Sequence, residues 1–150
     1  MLKFEDLART MAKRLNVSEQ QALDYMSAGY EANRLDSILK DYEALREETQ
    51  KLSDRYDELS EKENPTAEDV MELEELPLKM SENMEQSQVY MGQMRHKGED
   101  MVEVRKRIAA GMKLYNANPE IKEGTEIWNK MRERVITMMV DTGLMTKKKA

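Results

Sequence analysis

The clearest pattern along the chain lies between Leu35 and Leu59. Leu35, Tyr42, Thr49 and Tyr56 recur every seven residues, and Ile38, Leu45, Leu52 and Leu59 do so in a second register. Apolar positions spaced alternately by three and four form a stripe on one helix face, and such a stripe has to be buried against another helix. This predicts a long helix over 33–63. Tyrosine and threonine at the first register suit an antiparallel partner or a mixed bundle better than a parallel dimer, which favours isoleucine or valine there. A second heptad pattern starts at Met80. Met80, Met94, Met101, Ile108 and Tyr115 share one register with Ser87, and Met84, Met91 and Met112 share the other, interrupted by Gly98 and Arg105. It predicts a return arm over 79–116, as one helix or two. Arg95-His96-Lys97-Gly98 is the expected place for a break, because glycine inside a helix costs about 1 kcal/mol relative to alanine.

Shorter patterns flank these arms. Phe4, Leu7, Ala8, Met11, Ala12 and Leu15 follow helical spacing and predict a helix over 3–15. Asn16 suits a left-handed C-terminal position. Ser18 then reads as an N-cap, with Gln21 completing a capping box and Val17 stapling to Ala22. The second helix begins there, with Gly29 as its expected stop and Asn33 as a restart. Glu63-Asn64-Pro65-Thr66 breaks the long helix, and Thr66 with Asp69 caps the next. Val70, Met71, Leu73 and Leu76 give that helix about three turns before Pro77 ends or kinks it. Asn118-Pro119 is a start signal, which Gly124-Thr125 would delay. Ile127, Trp128, Met131, Val135, Met138 and Met139 then form an apolar stripe, closed by Gly143 with Leu144 as its apolar contact.

The expected fold is all-α: a long antiparallel coiled-coil hairpin, a small N-terminal helical pair and a C-terminal amphipathic helix. The domains expected are 1–30 for the helical pair, 31–117 for the hairpin with its tip at 64–78, and 118–150 for the last helix and a basic tail. Composition agrees. The 150 residues are 36% charged and 5% aromatic, with three prolines and six glycines, which suits long helices rather than sheets.

The net charge of −6 is unevenly placed. Residues 1–30 carry four bases and four acids, residues 31–76 six and sixteen, and residues 77–150 fourteen and ten. An acidic waist between neutral and mildly basic ends is compatible with docking between molecules and also with a solvated helix face. Without cysteine there is no disulfide and no thiolate site. The N-terminus lacks a secretory h-region, and no apolar run approaches the roughly 18–20 residues of a membrane span. A soluble cytoplasmic protein, including a viral one in a host cytoplasm, is expected, with no membrane partner.

Chemistry-bearing motifs are missing. His96 is the single histidine, so a histidine or thiolate metal site is not expected. Carboxylate pairs such as Glu47-Glu48 and Glu74-Glu75 fit solvated helix faces, and there is no glycine-rich phosphate loop or nucleophile elbow. The expectation is no enzyme, no cofactor and no metal. Eleven of the fourteen methionines fall in 71–145, and methionine seams adapt to partner helices. The packing or oligomer seam is therefore Leu35, Ile38, Tyr42, Leu45, Leu52, Tyr56, Leu59, Met84, Met91, Met94, Met101 and Ile108. The stripe from Ile127 to Met139 is the expected C-terminal interface. A thin hairpin offers little core, so self-association is expected, with a protein partner beside it.

A second reading concerns nucleic acid. Ala12-Lys13-Arg14-Leu15-Asn16-Val17-Ser18-Glu19-Gln20-Gln21-Ala22-Leu23 has the cadence of a helix-turn-helix, whose second helix would enter the major groove. Arg9, Lys13, Arg14, Ser18, Gln20 and Gln21 are then the candidate DNA contacts, although Glu19 and Asp24 oppose phosphate. A helix-turn-helix-like start, an oligomerising helical middle and a charged tail resemble the layout of viral small terminase subunits. That resemblance implies genome-DNA selection for a packaging motor. It rests on layout, and no residue is carried over from it. An acidic viral scaffolding protein with a basic end is a further alternative. The preferred expectation is a non-enzymatic, homo-oligomeric assembly or adaptor protein.

Overall fold

The computed structural model describes residues 4–144. The fold is all-α, with five helices and no strand among the described residues: α1 (Phe4–Leu15), α2 (Glu19–Ser60), α3 (Ala67–Met94), α4 (Met101–Ala117) and α5 (Pro119–Asp141). Lys147-Lys148-Lys149 of the expected basic tail lie outside the described residues.

Local chemistry sets most of the helix ends. Asn16 takes a left-handed φ of 57° after α1. The Val17 amide donates to the Ala12 carbonyl at 3.0 Å and the Asn16 amide to Lys13 at 3.4 Å, which satisfies the carbonyls that a helix end leaves open. Ser18 and Gln21 form the reciprocal capping box at the start of α2. The Gln21 amide donates to Ser18 Oγ and the Ser18 amide to Gln21 Oε1, each at 3.1 Å. Thr66 and Asp69 repeat the device at α3. Gly143, with φ of 77°, closes α5 through Leu144 N–H to the Met139 carbonyl at 2.8 Å. Leu144 is 75% exposed.

Several boundaries differ from expectation. Gly29 does not stop a helix, and Asn33 does not restart one, because α2 runs unbroken for 42 residues. A Cβ at Gly29 would stand 2.8 Å from Ile121 Cγ2, so this glycine permits a close helix approach. Pro77 does not end a short helix but sits inside the 28 residues of α3, so the turn after α2 lies at 61–66 rather than 64–78. The stretch 79–116 is not one helix. α3 stops at Met94, Arg95 is extended, Gly98 has φ of 83°, and Asp100 Oδ1 accepts from the Glu103 amide at 2.8 Å as α4 begins. α5 starts at Pro119 without delay. The side chain of Asn118 makes no cap, since its amide nitrogen donates to the Leu114 carbonyl and its oxygen accepts from Arg14.

The chain divides into two compact units, Met1–Asn33 with Ile108–Ala150, and Arg34–Arg107. The core of the first is Leu7, Ala8, Met11, Ala12, Ala22, Met26 and Ile121, with Phe4, Tyr25 and Leu114 among the half-buried residues around it. α5 thereby packs with α1. Arg14 of α1 holds the start of α5, its guanidinium meeting both Glu120 carboxylate oxygens at 2.8 Å. In the second unit Leu35, Tyr42, Leu59, Leu76, Met94 and Val104 are buried. Its helices are tied by Arg55 on Glu72 at 3.0 Å, Lys62 on Asp69 at 3.1 Å and Arg105 on Glu43 at 2.6 Å.

Candidate interaction surfaces

The two ends of α5 have different surroundings. At its start Ile121 and Thr125 are buried, and the Thr125 hydroxyl donates to the Ile121 carbonyl at 2.8 Å. Gly124 lets the helix close on Met26 and Phe4, since a Cβ there would lie 3.1 Å from Met26 Cε. Trp128 marks the edge of this packing. Its ring meets Phe4 at 5.9 Å in a tilted contact and Tyr30 at 5.8 Å edge-on, geometry that aromatic quadrupoles favour. A cavity of about 350 Å³ opens beside these rings, floored by Met26 and Ile121. Beyond Trp128 three stripe residues are exposed: Met131 at 48%, Val135 at 54% and Met138 at 66%. Ile127 and Met139, expected in the same interface, are half-buried.

The second surface lies within the Arg34–Arg107 unit. A groove of about 640 Å³ is lined by residues of α2, including Tyr42, Arg46 and Thr49, and of α3, including Met80, Met84 and Met91. The Arg46 guanidinium lies over the Tyr42 ring at 5.8 Å, a cation–π contact. Met84 is 63% exposed on this wall. Of the predicted seam, Leu35, Tyr42, Leu59, Met94 and Ile108 are buried, while Ile38, Leu45, Leu52, Met91 and Met101 are half-buried. Tyr56 and Met84 are exposed instead, so the heptad pattern marks two positions that this fold leaves open.

The candidate DNA contacts are engaged within the chain. Arg14 is held by Glu120 and Asn118, and Arg9 by Asp6 at 3.1 Å and Glu19 at 3.3 Å. Ser18 and Gln21 cap each other, and Gln20 donates to Asp24 at 3.0 Å. Lys13 is exposed. The Arg14 hydrogen bonds hold the Glu120 carboxyl below the usual carboxylate range, against the opposing effect of burial. The pair spans 106 positions in sequence, and no local pattern could have announced it.

One further carboxylate is strongly stabilised as an anion. Glu99 accepts from Arg107 Nε and Nη2, each at 3.0 Å, and from the His96 amide at 2.7 Å. These bonds pull its pKa from 4.5 to about 2. The Arg107 guanidinium also reaches the Met94 carbonyl at 2.5 Å, so the group staples the turn between α3 and α4. This is a structural role, since a carboxylate that stays ionised throughout is a poor general acid. Among the described residues no three His, Asp or Glu side chains gather as metal ligands. Among the same residues no helix is long and apolar enough to cross a membrane. No protein-family model, curated protein or solved structure matches the chain.

Proposed function

We propose that the protein is a non-enzymatic helical assembly or adaptor protein that self-associates through apolar helix faces. The observation that carries this reading is the outer half of α5. Met131, Val135 and Met138 fall at i, i+4 and i+7 on one face, each about half exposed or more. Covering such a face yields about 25 cal/mol per Å² of apolar area, and methionine adapts its shape to a partner helix. In the same reading α2 and the α3–α4 arm form a long antiparallel coiled-coil hairpin. The heptads on both arms and the Arg55–Glu72, Lys62–Asp69 and Arg105–Glu43 ties support that arrangement. α1 with the start of α2 is the small N-terminal pair, and α5 is the C-terminal amphipathic helix. A cytoplasmic setting is part of the proposal, and so is the scaffolding role, which is one form of assembly protein. The acids that occupy Arg9 and Arg14 weigh against a DNA-recognition subunit, because phosphate binding would have to displace them.

Light scattering on the eluting protein tests this reading. The wild-type chain, with a monomer mass of 17.6 kDa, is expected to run as an oligomer whose mass falls on dilution. Val135→Asp with Met138→Asp is expected to give monomers with unchanged helical circular dichroism. A wild-type chain that stays monomeric at every concentration overturns the reading. A mass that shifts only with duplex DNA at low salt would replace it with the recognition subunit.

A further inference from the structure

From that proposed self-association, on which this step rests, we infer the receptor: the outer half of α5 docks into the Tyr42–Met91 groove of a second copy of this chain. Three features of the two surfaces agree. The first is length. Met131 to Met138 is a rise of seven residues, about 10 Å of helix, and fits within Met80 to Met91, a rise of eleven, about 16 Å. A helix face read at i, i+4 and i+7 matches the usual way an amphipathic helix enters a groove.

The second is charge. At 100° per residue Arg132 and Arg134 stand on either side of the Met131–Val135–Met138 stripe. The same count puts Asp57 on α2 and Glu74 and Glu85 on α3 beside the groove residues, all three exposed. Two basic residues bordering the ligand face thus meet an acidic border on the receptor. Complementary borders of this kind fix register and speed encounter more than they add affinity.

The third is direction. The groove's charged lining residue is Arg46, one turn from Tyr42 on α2. The C-terminal end of α5 carries Asp141 and the negative end of the helix dipole. Pointing that end toward Arg46 sets Asp141 and the negative end of the dipole against the guanidinium. The inferred sense of docking has the α5 C-terminus toward Tyr42.

Two variants and their mixture decide the matter. Met84→Lys, on an exposed position of the groove wall, spoils the receptor, and Val135→Asp with Met138→Asp spoils the ligand helix. Each alone is expected to weaken self-association about tenfold or more, as loss of a central apolar anchor does. Circular dichroism should show both folded. Mixed together, the two variants are expected to associate, because the first supplies an intact α5 and the second an intact groove. Association of differently tagged copies, read by pull-down and light scattering, reports this. If Met84→Lys keeps the wild-type mass, the groove is not the receptor and the self-association reading survives without it. If only Met84→Lys loses association, grooves pair with grooves and the inference fails. If both lose it and the mixture does not recover, it also fails. A wild-type monomer removes inference and reading together.

Discussion

A methyl group added at Gly111 would stand 2.6 Å from the Ala28 carbonyl oxygen and press on the Ala32 methyl. Both neighbours belong to a helix backbone or its first carbon, so neither can swing aside as the end of a long side chain would. Alanine is normally favoured over glycine inside a helix by about 1 kcal/mol. Here packing opposes propensity, and Gly111→Ala is expected to destabilise the protein by about 1–3 kcal/mol. The same substitution at Gly92, where a Cβ meets nothing within 4 Å, is expected to stabilise by about 0.5–1 kcal/mol. Urea unfolding midpoints of the two variants should move in opposite directions. Glu99 makes a prediction of a different kind. Arg107 and the His96 amide hold it ionised, with its pKa lowered from 4.5 to about 2. A depressed carboxylate contributes stability that is present above the unfolded pKa and is lost as pH falls through the folded one. Wild-type melting temperature should therefore drop between about pH 4.5 and about pH 2. Glu99→Gln should melt lower than wild type at neutral pH, with a shallower fall across that window. Parallel profiles would show that the staple contributes nothing.

At the scale of helices, the cap chemistry was legible because it is local. Ser18–Gln21 and Thr66–Asp69 each operate within three residues, so the side chains that start α2 and α3 stand beside the backbone they satisfy. Asn16 and Gly143 were legible for the same reason. Neither Gly29 nor Pro77 ends its helix, because the packing that tertiary contacts supply outweighs their propensity costs. Pro77 cannot donate to the Leu73 carbonyl, and a proline in a helix interior costs about 3 kcal/mol, yet α3 continues through it with Leu76 buried next door. Pro77→Ala is accordingly expected to raise stability by about 1–3 kcal/mol, seen as a higher denaturant midpoint at unchanged slope. A lower midpoint would mean that the proline ring packs better than the restored hydrogen bond repays.

At the scale of the molecule, the two units are assembled from a chain that leaves the first and returns to it. Residues before Asn33 share a core with residues after Ile108, through Ile121 against Met11 and Met26 and through Arg14 on Glu120. The self-association prediction belongs here, since it depends on what remains uncovered after that core is built. The α5 stripe was legible as an apolar face, but the buried residues of α5 are Glu120, Ile121, Gly124 and Thr125 before it, while Met131, Val135 and Met138 stay exposed. The groove was only half legible. Tyr42, Met84 and Met91 stood out as seam positions, but Gln50, Ser81 and Gln88 line it too, and nothing about their spacing sets them apart. Dilution tests whether the proposed association is reversible. A mass that falls toward 17.6 kDa marks a reversible interface between copies rather than a fixed one.

The sequence by itself determined that this chain is helical, where most helices begin and end, and which face of each is apolar. Those properties follow from the residues within a turn or two, through capping bonds, backbone preference and a 3.6-residue period. Only the tertiary structure decided which apolar faces meet. It showed that α5 completes the N-terminal core, that Gly29 and Gly111 are points of close helix approach, and that Arg9 and Arg14 are occupied by acids. The physical reason is that periodicity marks a face without naming its partner. Pairs such as Arg14 and Glu120, far apart in sequence, are selected by shape and charge fit across the folded unit.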